Sequence, residues 1–317
     1  MQTGFMFPVF LTPASAASEA IRELFIYFLW AAGAVLVLVT GLVVYYSVRY
    51  RRKPNEEGEP QQFHTHKGLE LGILAATTGV MGIFFFLTLK TMLTVNDSPA
   101  PSQSPDLIII GHQWWWEARY PQSGVVTANE IHIPVGRRLL VELRSADVIH
   151  DWWVPELGRK MDMIPGKANS VWMEARRPGT FLGACSEFCG IQHAWMRIQV
   201  VAQTPAAFTA WEKAQRTEPT SDEKSRLIKN GKALFQQKTC ANCHAIAGTD
   251  AKASIGPDLT HLGSRKMLLT GMLENTPENL AHWLDNPQKI KPGAHMPDFR
   301  FSQQELASLV AYLNSLK

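Results

Sequence analysis

Several features that mark other protein classes are scarce in this chain of 317 residues. Its 31 basic and 28 acidic residues leave a net charge of only +3, which implies no polyanionic partner such as nucleic acid. Only four cysteines are present, so structural disulfides number two at most. The chain contains neither an internal repeat nor a low-complexity tract, and its length allows two domains with separate cores.

Charge is missing altogether from two long apolar runs, residues 24–46 and 71–89. As helices at ~1.5 Å per residue they would be about 34 and 28 Å long, close to the ~30 Å hydrocarbon core of a bilayer. A buried core helix is the alternative interpretation of either run. Because both runs end against charged residues, they predict two transmembrane helices within residues 24–93.

The segment between the two runs sets the expected topology. It is rich in cations, whereas the outer flanks carry few; the cations are Arg49, Arg51, Arg52, Lys53 and Lys67. Basic loops stay in the cytoplasm, so both chain termini are predicted on the opposite, periplasm-like side. Residues 1–23 form a separate N-terminal segment in which SAAS suits a peptidase site, but the lack of a basic stretch argues against a cleaved signal.

The region after the helices divides into three parts. Residues 94–202 contain short β-rich runs separated by Pro/Gly turns, a spacing typical of a β-sandwich or barrel. Residues 203–226 are polar and predict a linker. Residues 227–317 predict a helical domain, whose last segment, 302–317, places leucines at helical spacing on one face.

One cysteine pair lies in the motif CANCH, residues 240–244. Two thiols three residues apart can bond covalently to the two vinyl groups of a haem, and the adjoining His244 is then placed to ligate the iron. A thioredoxin-like redox site is the alternative, but no βαβ pattern surrounds the motif. A thioether is expected as the sixth ligand, with Met296 the first candidate. Its competitors are Met267, Met272 and His295.

Residues 227–317 resemble a class I cytochrome c in CANCH, in GPDL at 256–259, in Met296 and in LVAYL at 309–313. The resemblance implies an all-α domain with haem c bound to Cys240 and Cys243. It also implies that the Pro257 carbonyl accepts the proton of His244 Nδ1 and thereby fixes the ring.

The other cysteine pair lies in CSEFCGIQHAWM, residues 185–196, which offers two thiols, an imidazole and a thioether. Sulfur ligands of this kind select copper in its lower oxidation state. Two cysteines in one loop could each bridge two metals, unlike the single cysteine of a blue copper site. Zinc is the rival, but methionine is a poor zinc ligand. A second histidine must come from elsewhere in the β-rich region: His150 is the best placed, ahead of His112 and His132.

This motif, with GHQWWW at 111–116, DVIHDWWVP at 147–155 and MDMIPGKAN at 161–169, resembles subunit II of the haem–copper cytochrome c oxidases. The resemblance covers both membrane helices and the β-rich domain. It implies a cupredoxin-like Greek-key β-barrel that carries Cu-A, a centre of two coppers. The implied ligands are the Cys185 and Cys189 thiolates as bridges, the His150 and His193 imidazoles, the Met196 thioether and the Glu187 carbonyl.

Three further roles follow from the resemblance alone. The Glu187 side chain would reach a magnesium or manganese ion at the contact with subunit I. Trp114 would be the tryptophan through which electrons enter, where buried packing is the alternative. Glu70 would be the carboxylate at the mouth of a proton channel, although an acid at a helix N-terminus needs no such role. In the family, Trp-Thr usually follows the acid matched by Glu70, where this chain has LGILAA. A proline is common after the methionine matched by Met196, where this chain has Arg197.

The expected protein is therefore a two-pass subunit II with a fused cytochrome c domain, in the inner membrane of a bacterium. Its expected partners are oxidase subunits I and III, the lipid bilayer and a cytochrome c or other membrane electron donor. Electrons are expected to pass from the donor through haem c and Cu-A to subunit I, where dioxygen is reduced, so this chain has no catalytic site. The rivals are the same subunit of a copper-containing nitric oxide reductase and a stand-alone membrane-anchored carrier.

Overall fold

A computed structural model describes residues 12–52, 58–59, 62, 65–96, 103–219 and 225–317 of the chain. Lys53, one of the cations used to predict the topology, lies outside the described residues. The chain forms two compact units, one of Glu19–Asp97 and one that joins Met1–Ser18 to Ser98–Lys317.

Two long helices dominate the smaller unit, α1 (Ala16–Arg49) and α2 (Lys67–Val95). Their most apolar stretches have no buried residue, and the Phe28 and Phe84 rings stack at 4.1 Å where the helices touch. A core helix of a soluble domain would be covered, whereas these helices expose apolar side chains that only lipid or another apolar surface can accommodate. The pair is long and apolar enough to cross a membrane, in agreement with the predicted hairpin.

Ten strands within residues 103–219 build the β-rich domain as two five-stranded sheets. The first sheet has the order β3-β2-β1-β5-β8 and the second β4-β10-β9-β6-β7. The strands are β1 (Leu107–His112), β2 (Trp115–Tyr120), β3 (Val125–Ala128), β4 (Glu130–Pro134), β5 (Leu139–Ser145), β6 (His150–Trp153), β7 (Met161–Met163), β8 (Asn169–Met173), β9 (Gly179–Cys185) and β10 (Arg197–Gln203).

The two sheets share one hydrophobic core. Strand β1 contributes the fully buried Leu107 and Ile109, and β10 of the other sheet contributes Ile198 and Val200. Alternate residues of a strand point to opposite faces, so this pattern places one apolar face of each sheet against the other. Strand β1 runs parallel to β5 and β10 runs parallel to β4, which requires connections that cross between the sheets. The predicted β-sandwich is confirmed, and its rigid core supports the loops at its ends.

The chain after β10 differs from the linker predicted at 203–226. Residues Pro205–Gln215 form a helix, α3, that begins at the cap Thr204 with proline in its first turn. Its Trp211 stacks on the His132 ring at 4.3 Å and meets the Tyr120 ring edge-on at 5.3 Å. The helix forms because these aromatic contacts bury its apolar face on the β-rich domain.

The last part of the chain is mainly helical, as predicted. Its elements are α4 (Arg226–Gln237), a short hairpin of β11 (Met267–Leu268) and β12 (Leu273–Glu274), α5 (Pro277–Asp285), α6 (Pro287–Ile290) and α7 (Gln303–Ser315). Helices α4 and α7 cross in close contact at Gly231, where a Cβ would lie 2.0 Å from the Ser308 carbonyl oxygen. The Phe235 and Tyr312 rings meet edge-on at 6.0 Å beside that crossing. The glycine therefore allows the two terminal helices to close one core.

Part of the predicted N-terminal segment 1–23 belongs to the β-rich domain. The Ala14 amide donates to the Glu156 carbonyl at 2.9 Å, and the Arg176 amide donates to the Ala14 carbonyl at 2.7 Å. Ser15 and Ser18 of the SAAS sequence are buried, and the Ser18 hydroxyl donates to the Glu156 carbonyl at 2.7 Å. These residues satisfy backbone groups of the domain and are part of its packing.

Candidate metal centre and haem site

The residues of the cysteine-rich loop converge because two strands of one sheet frame it. Cys185 ends β9, and residues 186–196 fold back so that the Cys185 amide donates to the Met196 carbonyl at 3.0 Å. Strand β6 pairs with β9 at Trp152 and Cys185, which brings His150, at the start of β6, next to the loop. A Cβ at Gly111 would lie 2.9 Å from His150 Cδ2, so glycine in β1 leaves room for the ring.

The two sulfurs lie at the centre of this cluster. Cys185 Sγ and Cys189 Sγ are 3.8 Å apart, too far for a disulfide, and both residues are buried. The other four predicted ligand atoms lie around them: His150 Nδ1 is 3.9 Å and the Glu187 carbonyl oxygen 3.3 Å from Cys185 Sγ, while His193 Nδ1 is 3.6 Å and Met196 Sδ 3.7 Å from Cys189 Sγ. Each sulfur therefore has its own imidazole and one weaker donor.

The charge state of the thiol pair suits metal binding. Contact with the Cys189 side chain lowers the pKa of Cys185, with the His150 imidazole acting in the same direction. The same contact raises the pKa of Cys189, because a second thiolate beside the first is unfavourable. The contact between the thiols thus favours one thiolate beside one thiol, and a bound metal would favour loss of the second proton.

His150 is held in the orientation that a ligand histidine requires. Its Nε2 lies 2.8 Å from Asp147 Oδ1, which leaves Nδ1 facing the sulfurs. Against the effect of burial, contacts with Asp147 and Cys185 raise the pKa of His150. Burial alone would raise the pKa of the Asp147 carboxyl, but hydrogen bonds from His150 and the Gln113 amide lower it overall. A carboxylate behind an imidazole in this way fixes the tautomer and makes the free nitrogen a better ligand.

The donor set fits copper. The donor atoms of His150, Cys185 and Cys189 lie within 4.8 Å of one another. Two thiolates, imidazoles and a fully buried thioether are soft or intermediate ligands, whereas structural zinc sites are built from four cysteine and histidine ligands. The Met196 side chain, 0% exposed, therefore favours copper over zinc.

The two alternative histidines make other contacts. His112 stacks on the Trp115 ring at 4.1 Å, and its Nε2 lies 3.1 Å from Glu117. His132 lies between Glu130, 3.1 Å from its Nε2, and Gln203, 3.0 Å from its Nδ1. Both histidines thus pair within the β-rich domain, and the cluster contains His150 instead.

Trp114 links the copper-type cluster to the helical domain. It is 8% exposed, and its indole Nε1 donates to the Cys189 carbonyl at 2.9 Å. On its other side the His295 ring lies 5.0 Å away, centroid to centroid. Trp114 is therefore buried between a predicted copper ligand, Cys189, and His295, the neighbour of the predicted iron ligand Met296. Its role in electron entry remains a prediction.

The CANCH motif has the local structure that covalent haem attachment requires. Cys240 begins a short 3-10 turn, Cys243 follows it, and both thiols are free. His244 Nδ1 lies 2.7 Å from the Pro257 carbonyl oxygen, so Nδ1 donates and Nε2 keeps its lone pair. Burial lowers the pKa of His244, which keeps the ring neutral and able to ligate iron. A Cβ at Gly256 would lie 2.6 Å from His244 Cε1, so the ring needs this glycine.

Met296 and its competitors occupy different parts of the domain. Met296 is partly buried and packs, like Cys240, against the core of the helical domain. Met267 lies in β11 and Met272 in the turn of the hairpin. His295 is exposed and faces Trp114. Packing of Met296 and Cys240 against the same core is consistent with its candidacy, which remains a prediction.

The two acids assigned by resemblance have ordinary local partners. The exposed Glu187 side chain accepts from the Phe188 amide at 3.2 Å. Glu70 Oε1 accepts from the His66 amide at 3.1 Å, while His66 Nδ1 accepts from the Leu69 amide, so Glu70 helps to cap α2. The magnesium role of Glu187 and the proton role of Glu70 remain predictions.

Two residues in these contacts were not singled out from the sequence. Asp147 stands three residues before His150, and an acid so close to a candidate ligand histidine is a local signal that was available. Lys291, which donates to the Trp114 carbonyl at 3.0 Å, has no such signal, because its partner is 177 residues away.

Comparisons with known proteins agree with these two sites. Residues 124–203 match the family described as cytochrome c oxidase subunit II, periplasmic domain, and residues 228–317 match the cytochrome c family. Cytochrome c oxidase subunit 2 of Alkalihalophilus pseudofirmus is 33% identical over 312 residues, which cover 97% of this chain and 90% of that protein. The chain belongs to the cytochrome c oxidase subunit II family.

Other relatives of this family are also similar. Cytochrome c oxidase subunit 2 of Bacillus subtilis is 30% identical over 292 residues, 86% of this chain and 82% of that protein. The solved periplasmic domain of subunit II of cytochrome oxidase of Bradyrhizobium japonicum is 30% identical and covers 37% of this chain and 97% of that chain, with a TM-score of 0.35.

Membership of this family confirms the resemblance to subunit II with a fused cytochrome c domain. It also confirms the predicted fold class, which consists of a transmembrane helix pair, a cupredoxin-like domain and an all-α cytochrome c domain. The first matched domain implies copper of the Cu-A type and the second implies haem c. The chain is thus a membrane-anchored protein whose two cofactor domains face outward.

Proposed function

We propose that this chain accepts electrons for a respiratory cytochrome c oxidase in the inner membrane of a bacterium. Electrons pass from a donor through covalent haem c to a two-copper Cu-A centre and on to subunit I, where dioxygen is reduced to water. Bound haem and copper supply one-electron transfer, and the residues of this chain hold them and set the distance between them.

The contacts of Trp114 are the observation that carries this proposal. Its indole donates to the carbonyl of Cys189 and its ring lies against His295, so a single buried side chain touches both cofactor regions. Electron tunnelling weakens steeply with distance through the protein, and a short, packed and hydrogen-bonded connection favours it. Trp114 therefore supports direct electron transfer between the helical (haem) domain and the β-rich (copper) domain.

The surrounding residues act by orienting ligands. Asp147 holds His150 with Nδ1 toward the sulfurs, and the Pro257 carbonyl holds His244 with Nε2 free. Cys185 and Cys189 would hold the coppers together through their thiolates, and the buried Met196 thioether would add a weaker ligand. A site held by fixed partners changes little in shape when its charge changes, which suits fast transfer.

The proposed partners follow from the family and from the exposed faces of the chain. Relatives are named cytochrome c oxidase subunit 2, so subunits I and III are the proposed membrane partners, and a cytochrome c or other membrane complex the donor. Residues 186–196, the cysteine-rich loop, are called the copper loop below. Glu187, whose side chain is exposed in this loop, is proposed to reach a magnesium or manganese ion shared with subunit I. Glu70 is proposed to lie at the mouth of a proton channel.

Removal of a bridging thiolate tests the proposed order of transfer. In the purified oxidase, Cys185→Ser should abolish the mixed-valence copper signal in electron paramagnetic resonance, because a hydroxyl cannot replace a bridging thiolate. Haem c should still be reduced by the donor but should stay reduced in air, and oxygen uptake should collapse. Ser186→Ala, next in the loop, is the matched control and should keep the copper signal and oxygen uptake.

Three results would contradict the proposal. Rapid reoxidation of haem c in the copper-free variant would show that electrons bypass Cu-A. Purification of the chain without a large haem-bearing subunit would favour the stand-alone carrier, and reduction of nitric oxide in place of dioxygen would favour the reductase.

A further inference from the structure

The haem domain is docked on the copper domain through the five residues that precede Met296. We call residues 291–295 the docking loop. Lys291 Nζ donates to the Trp114 carbonyl at 3.0 Å, Gln192 Nε2 donates to the Pro292 carbonyl, and the His295 ring lies 5.0 Å from the Trp114 ring. The loop thus contacts the copper domain at its first, second and last residues.

Gly293 adds a close contact in the middle of this loop. Its φ of +84° is a conformation that favours glycine, and a Cβ there would lie 2.8 Å from Ile191 Cγ2. Ile191 belongs to the copper loop, two residues after Cys189. A larger residue at position 293 would push the docking loop away from the copper loop.

A second segment of the haem domain joins the same face. The Lys266 amide donates to Glu130 Oε2 at 2.9 Å, and the Thr270 hydroxyl donates to the Trp195 carbonyl at 2.7 Å. The first contact gives the docked arrangement an amide proton, that of Lys266, whose exchange with solvent can be measured.

Lys291 is unusual among these contacts because it is a buried cation. It is only 5% exposed, and burial lowers its pKa to about 8, so the ammonium form still predominates at neutral pH. Burial of an ammonium group is unfavourable unless it is hydrogen-bonded, and its partner here is the backbone carbonyl of Trp114 itself. The bond therefore fixes the backbone of the residue whose indole reaches Cys189.

We propose that Lys291 is a positioning residue for electron transfer within this chain. It holds the docking loop on Trp114 and thereby keeps Met296, the predicted iron ligand that follows the loop, close to the copper loop. This inference rests on the proposed function, since it concerns the step from haem c to Cu-A. The hydrogen-bond partner of Lys291 is the Trp114 carbonyl rather than a predicted ligand, although its charge also interacts favourably with Cys189, so we expect it to act mainly through Trp114.

Lys291→Met in the purified oxidase tests this role, because methionine keeps the length of the side chain and removes the donor and the charge. The matched control is Lys289→Met, which removes the same charge from an exposed position in α6. Loss of a hydrogen bond from a charged group shifts an equilibrium by roughly tenfold or more. We expect the Lys266 amide to exchange with deuterium at least about tenfold faster in Lys291→Met and to keep the wild-type rate in Lys289→Met.

The transfer step itself gives the second measurement. After rapid reduction of haem c, the appearance of reduced Cu-A should be slower in Lys291→Met than in Lys289→Met, with the copper and haem spectra unchanged. Gly293→Ala disturbs the docking loop at Ile191 and leaves Lys291 in place. It should also speed exchange at the Lys266 amide and slow the transfer from haem c to Cu-A.

Internal and external controls separate the outcomes. The Gly263 amide, which donates to the Leu316 carbonyl inside the haem domain, should exchange at the wild-type rate. Faster exchange at Gly263 would show that Lys291 only stabilises the haem domain, and unchanged exchange at Lys266 would show that it does not hold the domains together. Either result overturns the inference. Failure of Cys185→Ser to block transfer would instead overturn the proposed function.

Discussion

The hydrogen bond between Asp147 and His150 is the contact whose loss should most directly weaken copper binding. Asp147 Oδ1 lies 2.8 Å from His150 Nε2, and Oδ2 accepts from the Gln113 amide at 2.6 Å. Asparagine has nearly the same shape but replaces one of these oxygens by an NH2 group. If that group faces Gln113, two donors meet; if it faces His150, the ring must move its proton to Nδ1, which then cannot ligate.

The expected size of the effect follows from the role of such partners. Loss of a carboxylate behind a ligand histidine typically lowers metal affinity by about 10–100-fold, or about 1.4–2.8 kcal/mol. We therefore expect Asp147→Asn to lower the copper affinity of the oxidase within that range, as measured by competition with a copper(I) chelator. The copper resonance signal should weaken in proportion to the copper lost.

Asp106→Asn is the matched control for this change. Asp106 likewise has a side-chain partner, Arg137, and accepts a backbone amide, that of Leu140 at 2.9 Å, but it lies just before β1. Its substitution should lower stability without altering copper affinity. If the copper affinities of the two variants differ by less than about twofold, orientation of His150 by Asp147 does not contribute to binding.

Two further predictions concern the haem domain. Met296→Ala should remove the far-red methionine–iron band and lower the haem potential while the haem stays covalently attached, as read from the optical spectrum and a redox titration; survival of the band would point to Met267 or Met272. Hydrogen bonding by Lys238 and by the Ser302 cap lowers the pKa of Glu305 from 4.5 to about 2. The ionised carboxylate therefore stabilises the fold above pH 4.5, and this contribution is lost as the pH falls toward 2. Glu305→Gln should therefore lower the thermal unfolding temperature at pH 7, as followed by haem absorbance. The difference from wild type should shrink below pH 4.5, and a difference that stays constant down to pH 3 would contradict the ionic explanation.

Short-range patterns explain why much of the copper cluster was predictable. Cys185, Cys189, His193 and Met196 lie in one loop, so their spacing in sequence nearly fixes their proximity in space. His150 comes from a different strand, and the alternation of a strand does not tell which sheet a side chain serves. His112 and His132 were therefore open alternatives until the pairing of β6 with β9 was known.

Contacts between domains were beyond the reach of sequence patterns. Lys291 and Trp114 are 177 residues apart, and nothing local to either indicates the other. The helix α3 is a different case, because Thr204 and Pro205 form a recognisable helix start. The polar stretch that follows it obscured this signal, and the stabilising contact of Trp211 with His132 is again a tertiary one.

The helix α3 also determines how far the haem domain can travel if it leaves its docked position. The helix α3 packs on the copper domain through Phe208 and Trp211 and ends at Gln215, and α4 begins at Arg226, so ten residues, 216–225, separate the two helices. Ten residues reach at most about 35 Å when fully extended. Confinement to such a radius corresponds to a millimolar local concentration, which a freely diffusing cytochrome at micromolar levels cannot match. Under the proposed order of transfer, we expect an external donor to compete poorly for the copper domain and to deliver its electron to the haem domain. Encounters at the surface of the haem domain would then set the supply of electrons to the oxidase.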